Sequence, residues 1–335
     1  MPLVKTAAII GGGVIGSGWI ARLIENGIHV NVFDPSEDAR SQIEAVTENS
    51  RYAFEKLLTA PRMSEGLVSF SSSIEEAVSD ASLIIESVPE RLEIKRFVYQ
   101  EIENAAKSNA VIASSTSGIM PTELQVEMRF PERFIVAHPF NPVYLIPLVE
   151  IVGGKETSAE TLEWAIDFYQ EIGMKPLHVK KEIEAFIADR LLEAIWREAL
   201  WLVKDGVATT EDVDDAVRFG FGLRYAQMGI FDTYRVAGGE AGMRHFMAQF
   251  GPCLTWPWSK LTNVPEFNDE LVELIASQSD KQSGHMSIRE MERKRDENLI
   301  SIILALKENH WGAGKTLREY EQGLINKSLS AANDE

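Results

Sequence analysis

The 335-residue chain has one cysteine, Cys253, so no intrachain disulfide can staple it and a core must come from apolar burial. Such sparing use of cysteine fits a reducing compartment. Basic residues are also few: 33 Lys and Arg against 51 Asp and Glu leave a formal net charge of −18. That charge repels a phosphate backbone or an anionic bilayer, which argues against nucleic acid and membrane as main partners. No apolar run approaches the roughly 18 residues of a spanning helix. The first apolar stretch, residues 7–10, runs straight into glycines and lacks the long apolar centre of a secretion signal, so a soluble cytoplasmic protein is expected. His, Cys and acidic residues at metal-ligand spacing are missing, as is a Gly-x-Ser-x-Gly elbow. No metal is therefore expected, and a serine hydrolase is set aside.

What is present is ordinary globular composition, 45% hydrophobic and 25% charged, on a length that suggests about two domains. Short Val- and Ile-rich runs at residues 5–10, 28–33, 67–70, 82–86, 110–114 and 134–137 read as strands. Helical patterns at 16–26, 36–58 and 91–106 separate them. Two more strands are expected at 148–152 and 176–179, around a helix at 159–172. This alternation predicts an α/β fold, a Rossmann-type doubly wound parallel sheet with helices on both faces. Beyond residue 181 only helical spacing recurs, at 185–203, 210–219, 239–250, 269–277 and 287–307. An all-α C-terminal domain is thus expected over 183–320, after an α/β domain over 1–182. A polar tail closes the chain at 321–335. Gly314-Lys315-Thr316 resembles the end of a P-loop, but the glycine that motif needs is Asn309 here.

Gly11-Gly12-Gly13-Val14-Ile15-Gly16 follows a predicted strand and opens a predicted helix. In that setting Gly11 permits a tight turn, Gly13 lets backbone approach a pyrophosphate, and Gly16 allows close helix–strand packing. Asp34 ends the next strand, placed to accept both hydroxyls of an adenosine ribose and to repel a 2′-phosphate. NAD is therefore the expected cofactor, in preference to NADP.

His138 stands in Ala137-His138-Pro139-Phe140-Asn141-Pro142, just after a predicted strand, where open α/β sheets bind ligands. Glu150 follows in an otherwise apolar strand and needs a buried partner, which an imidazole could be. The pair would make a general base, although the same spacing suits a purely structural histidine. Hydroxyls in Ser114-Ser115-Thr116-Ser117 could orient a substrate alcohol or serve only as caps.

In this order the motifs resemble the 3-hydroxyacyl-CoA dehydrogenase superfamily. The likeness spans nearly the whole chain and includes Ser87-Val88-Pro89-Glu90 and Phe186-Ile187-x-x-Arg190. Residues 190–201 and 221–258 look very close to bacterial members that act on L-carnitine. The resemblance implies an oxidoreductase: a 3-hydroxyl is oxidised to a ketone, with NAD as hydride acceptor. It makes His138 the base, Glu150 its orienting carboxylate, and Ser117 and Asn141 the groups around the reacting oxygen. Glu90 and Lys95 match positions near the cofactor ribose. The implied assembly is a homodimer, and the implied partner is a small molecule, L-carnitine.

One position departs from the acyl-CoA enzymes: Asp189 stands where they carry asparagine. A carboxylate there would favour a quaternary ammonium, where an amide is merely polar. Aromatic faces also hold such a cation, and Trp196, Trp201, Phe231, Tyr234 and Trp256 are candidates, with helix packing as the competing role. For a substrate carboxylate the first choice is Arg224 and the second Arg190. Another small 3-hydroxy acid, an acyl-CoA thioester, or a non-catalytic crystallin-like role are the alternatives.

Overall fold

The computed structural model describes residues 3–62, 64–226, 228–237, 240, 242–250, 259, 268–271, 273–274, 277–278 and 285–333. One unit comprises Met1–Asp189 with Asp296–Glu335, and a second comprises Arg190–Arg295.

The first unit is built on an eight-stranded sheet: β1 (Thr6–Ile10), β2 (His29–Phe33), β3 (Val68–Phe70), β4 (Leu83–Glu86), β5 (Val111–Ser114), β6 (Phe134–Pro139), β7 (Leu148–Val152) and β8 (Lys175–Val179). Their spatial order is β3-β2-β1-β4-β5-β6-β7-β8. All eight strands expected from the sequence are present. Successive residues point to opposite faces, and both faces are covered. Ala7 and Ile9 join one core cluster and Ala8 and Ile10 the other, and Leu83 and Ile85 likewise oppose Ile84. That double burial explains why these strands read as continuous apolar runs.

The sheet is mixed rather than wholly parallel, because β6 and β7 pair antiparallel. A parallel return needs a crossover of a dozen or more residues, and the β6–β7 connection is too short for one. Pairing with β7 also extends β6 through Pro139, so His138 lies inside the strand and directly opposite Glu150, not in the loop beyond it.

The helices of this part are α1 (Val14–Glu25), α2 (Ala39–Leu57), α3 (Ile74–Val78), α4 (Leu92–Ala105), α5 (Pro121–Leu124) and α6 (Ala159–Glu171). Side chains start α3 and α6: Ser73 accepts from the Glu76 N–H and Ser158 from the Thr161 N–H, both at 3.1 Å. Then α7 (Ala188–Lys204) leads into the second unit, which holds α8 (Thr210–Ala216), α9 (Gly222–Tyr225), α10 (Ile230–Ala237) and α11 (Gly242–Phe250). Thr209 and Asp212 form a reciprocal capping box at the start of α8. No strand occurs among the described residues of this unit.

After α12 (Ile288–Glu308) the chain does not trail off as a polar tail. It forms α13 (Gly312–Asn333), which packs within the first unit. Tyr320 and Leu324 are buried in a cluster with Phe54, Leu57, Tyr144 and Ile303. The Tyr320 hydroxyl donates to Asn26 Oδ1 at 2.9 Å. Glu321 accepts from Lys307 Nζ at 2.8 Å and from the Thr59 N–H at 2.7 Å. Burial pushes its carboxyl up, but these donors outweigh burial and hold it below the usual range. Gly314 is explained by packing: a Cβ there would lie 2.0 Å from the Lys307 amide nitrogen. Polar composition concealed a helix whose buried stripe is narrow.

Tyr320→Ala should therefore cost about 3–5 kcal/mol, as a large buried side chain does, measured by urea unfolding. A loss within about 0.5 kcal/mol is what a solvated tail would give.

Candidate active site

At the end of β1 the chain turns through Gly11 at φ +99°, where a Cβ would lie 2.6 Å from the Ser87 carbonyl oxygen. Gly16 packs so tightly that its Cβ would meet the Gly11 carbonyl oxygen at 1.8 Å. Above Gly13 nothing lies within 4 Å of the Cβ position. The first turn of α1 has neither a side-chain cap nor an acidic residue. Its N–H groups, from Val14 onward, thus face an opening with their positive dipole end unanswered, a fit for a pyrophosphate. Asp34 closes the turn: Oδ2 accepts from the Gly12 N–H at 2.6 Å and Oδ1 from the Ser36 N–H at 2.7 Å. Each oxygen keeps a lone pair for a ribose hydroxyl. The same helix also braces the loop after β6, because the Arg22 guanidinium is buried and donates to the carbonyls of Val143 and Tyr144.

Beside this turn lies a charged network that sequence reading found only in part. Glu86, fully buried at the end of β4, accepts from Lys95 Nζ (2.8 Å), Tyr99 OH (2.6 Å), Ser114 Oγ (2.7 Å) and the Val88 N–H (2.8 Å). Lys95 is buried too and reaches Glu90 Oε2 at 3.2 Å. Glu90 Oε1 accepts from the Thr116 hydroxyl and from the Ser117 N–H at 3.1 Å. Burial raises the Glu90 carboxyl, but Thr116 and the Lys95 charge win and hold it below its usual range. Burial, then the Glu86 charge, pushes the Tyr99 hydroxyl well up, so it stays a donor. Lys95 therefore fixes two carboxylates, and the half-exposed member of the set is Glu90. Glu86 could have been found as Glu150 was, as a carboxylate in an apolar strand.

On the other side of β5, His138 Nδ1 donates to Glu150 Oε2 at 2.9 Å. Glu150 is fully buried, and its Oε1 accepts from the Ile187 and Ala188 N–H groups at 2.9 and 3.0 Å, where α7 begins. Phe140 and Phe186 pack on the imidazole, with ring centres 5.0 and 5.6 Å away. His138 Nε2 faces the Asp189 carboxylate at 3.7 Å. Ser117 and Asn141 are exposed at the ends of β5 and β6. The arrangement can take a proton on Nε2 while Nδ1–H stays pinned. Sequence reading found Phe186 only as part of a motif and not its place on the imidazole, because the left-handed backbone that brings it there, at φ +47°, leaves no mark in residue type.

The remaining candidates lie in the second unit. Trp196 is half exposed beside Leu192, Ile195, Val213 and Asp214, which line an apolar groove of about 200 Å³ between α7 and α8. Tyr234 stacks on Phe246 with ring centres 4.6 Å apart and is hydrogen-bonded to Tyr225. Phe231 is 80% exposed and Arg224 is also exposed. Lys204 Nζ lies 4.5 Å from the centre of the Trp201 ring. Trp256 falls outside the described residues.

Comparison with known proteins agrees with this geometry. The family described as 3-hydroxyacyl-CoA dehydrogenase, NAD binding domain, matches residues 6–183, and its C-terminal domain matches 186–264. An L-carnitine dehydrogenase of Mesorhizobium japonicum is 57% identical over 97% of this chain and 90% of its own length. A second, of a Pseudomonas species, is 51% identical over 94% and 98% respectively. A solved 5-formyl-3-hydroxy-2-methylpyridine 4-carboxylic acid 5-dehydrogenase, described as an NAD+ dependent dismutase, is 28% identical. It superposes with a TM-score of 0.77 over 91% of this chain and 99% of that one.

Lys95→Met should be severely destabilising, by about 3–5 kcal/mol in chemical unfolding, because it strands two carboxylates around a buried centre. Adding Glu86→Gln should recover part of that loss, since the stranded charge goes with it. A mild Lys95→Met, or no recovery in the double variant, contradicts the network. Glu90 contributes stability above an unfolded-state pKa of about 4.3 and loses it as pH falls through its lower folded value.

Proposed function

Because the chain belongs to the 3-hydroxyacyl-CoA dehydrogenase family, we propose that it oxidises the 3-hydroxyl of L-carnitine to the ketone of 3-dehydrocarnitine with NAD. Bound on the glycine turn and Asp34, NAD supplies the acceptor for the hydride on C3. Glu90, fixed by Lys95, would lie near the cofactor ribose. His138 Nε2 takes the hydroxyl proton, and Glu150 keeps the ring in the tautomer that leaves Nε2 free to accept it. Glu150 also favours the imidazolium that forms. Ser117 and Asn141 hold the reacting oxygen, and Arg224 is the candidate for the substrate carboxylate.

The observation that carries the choice of substrate is the 3.7 Å between Asp189 and His138 Nε2. In L-carnitine three covalent bonds separate the hydroxyl oxygen from the quaternary nitrogen. A hydroxyl at Nε2 therefore brings the cation within reach of Asp189. A tetraalkylammonium has no N–H, so it is held by charge and by aromatic faces, for which Trp196, Phe231 and Tyr234 are the candidates. An acyl-CoA substrate offers no cation there. The reading takes the enzyme as a cytoplasmic homodimer. The apolar side chains exposed on the second unit, Leu192, Ile195, Leu223 and Phe231 among them, support the dimer. Among the described residues no helix is long and apolar enough to cross a membrane.

Mixing the protein with NAD and candidate alcohols and following NADH absorbance tests this. L-Carnitine should give the highest kcat/KM, above 3-hydroxybutyrate and a 3-hydroxyacyl-CoA, and NADP should serve poorly because of Asp34. NAD binding without turnover of any substrate would establish the non-catalytic alternative. His138→Gln should lose about 10²–10⁴-fold in turnover while still binding NAD. Asp189→Asn should raise KM for L-carnitine more than for 3-hydroxybutyrate. An unchanged ratio of the two kcat/KM values rejects the charge role.

A further inference from the structure

Outside the turn and the histidine pair, one exposed arrangement at the cofactor end of the sheet is unexplained. The Arg40 guanidinium carbon lies 3.9 Å from the centre of the Phe70 ring. Arg40 is exposed and Phe70 is half-buried, so a guanidinium sits over an aromatic ring at the edge of solvent.

The position is informative. Phe70 ends β3 and is the register partner of Val32, two residues before Asp34. Arg40 is the second residue of α2. Its neighbour Ala39 packs on the glycine turn together with Asp34: a Cβ on Gly12 would lie 3.4 Å from Ala39 Cβ and 3.5 Å from Asp34 Cβ. The stack thus stands on the far side of Asp34 from α1, whose N-terminus faces the pyrophosphate. Along a dinucleotide the order is pyrophosphate, adenosine ribose, adenine, and the chain presents α1, Asp34 and the Arg40–Phe70 stack in the same sequence.

We propose that Arg40, held over the Phe70 ring, is the stacking partner for the adenine of NAD. A guanidinium is planar and weakly hydrated, and it stacks on the π-face of a base. Free in solvent it would lose rotamer entropy on binding, and Phe70 removes much of that cost beforehand. The preceding loop carries Glu37 and Asp38 besides Asp34, so the local charge favours a neutral base over an added phosphate. Arg40 acts on affinity and cofactor orientation, not on the hydride step. The proposal rests on the reading of residues 11–16 and Asp34 as the dinucleotide site.

The test is a fluorescence titration of the full-length protein with NADH and with reduced nicotinamide mononucleotide, which lacks the adenosine. Arg40→Ala should weaken NADH by about tenfold, the size of one stacked base, and leave the mononucleotide unchanged. Arg40→Lys keeps the charge and loses the plane, so it should resemble Arg40→Ala. Unfolding midpoints of both variants should match wild type, because Arg40 is exposed. Wild-type NADH affinity in Arg40→Ala overturns the proposal, as does equal weakening of both ligands. Full affinity in Arg40→Lys replaces stacking with simple charge. Failure of NADH to bind the wild-type protein would instead overturn the dinucleotide site itself.

Discussion

A carboxylate with no access to water must have both its oxygens hydrogen-bonded, and Glu150 meets that requirement from two directions. One oxygen takes the His138 N–H; the other takes two amides at the start of α7. The strand pair β6–β7 and the first turn of α7 are therefore fixed by one residue. Reaching those amides bends the chain through Ala185 and Phe186 at φ +57° and +47°, left-handed for non-glycine residues. Such conformations cost about 1–2 kcal/mol each. Charge-assisted hydrogen bonds contribute about 1.5–3 kcal/mol each, so the two to Glu150 are sufficient to hold the bend. Through it Phe186 comes onto the imidazole and Asp189 onto its free nitrogen.

Glu86 answers the same requirement differently, and the contrast suits two tasks. Its lone pairs go to Lys95, Tyr99, Ser114 and a backbone amide, so its charge is neutralised by a permanent cation. That makes a rigid post for Glu90 and the end of β5. Glu150 has no such cation among the described residues. In the proposed reaction its charge is thereby left to support the imidazole, which a lysine in the same place would prevent.

Much of this was legible because burial on both faces makes a strand a plain run of Val and Ile. All eight strands, the glycine turn, Asp34 and the His138–Glu150 pairing could be read that way. Three features could not. The direction of β7 depends on a connection too short for a crossover, which apolar periodicity does not report. The helix over Gly312–Asn333 buries few side chains, Tyr320 and Leu324 among them, under a polar surface, so its composition resembled a solvated end. The bend at Ala185–Phe186 follows from hydrogen bonds to a residue far away in sequence. Of the aromatic candidates, Trp196 borders an apolar groove and Tyr234 stacks on Phe246, both partly exposed, so residue type at helical spacing does not separate packing from a cage.

Across the sheet end the roles are divided by charge. The uncapped N-terminus of α1 suits an anionic cofactor, while in the proposed reaction His138 takes the proton and Asp189 adds negative potential beside it. In that proposed reaction this last charge and the histidine act on two ends of one short substrate. A crystal structure of His138→Gln with NAD and L-carnitine bound tests it most directly. The account predicts the substrate hydroxyl against residue 138 and the quaternary nitrogen beside the Asp189 carboxylate. A substrate whose trimethylammonium group points away from Asp189 would contradict it.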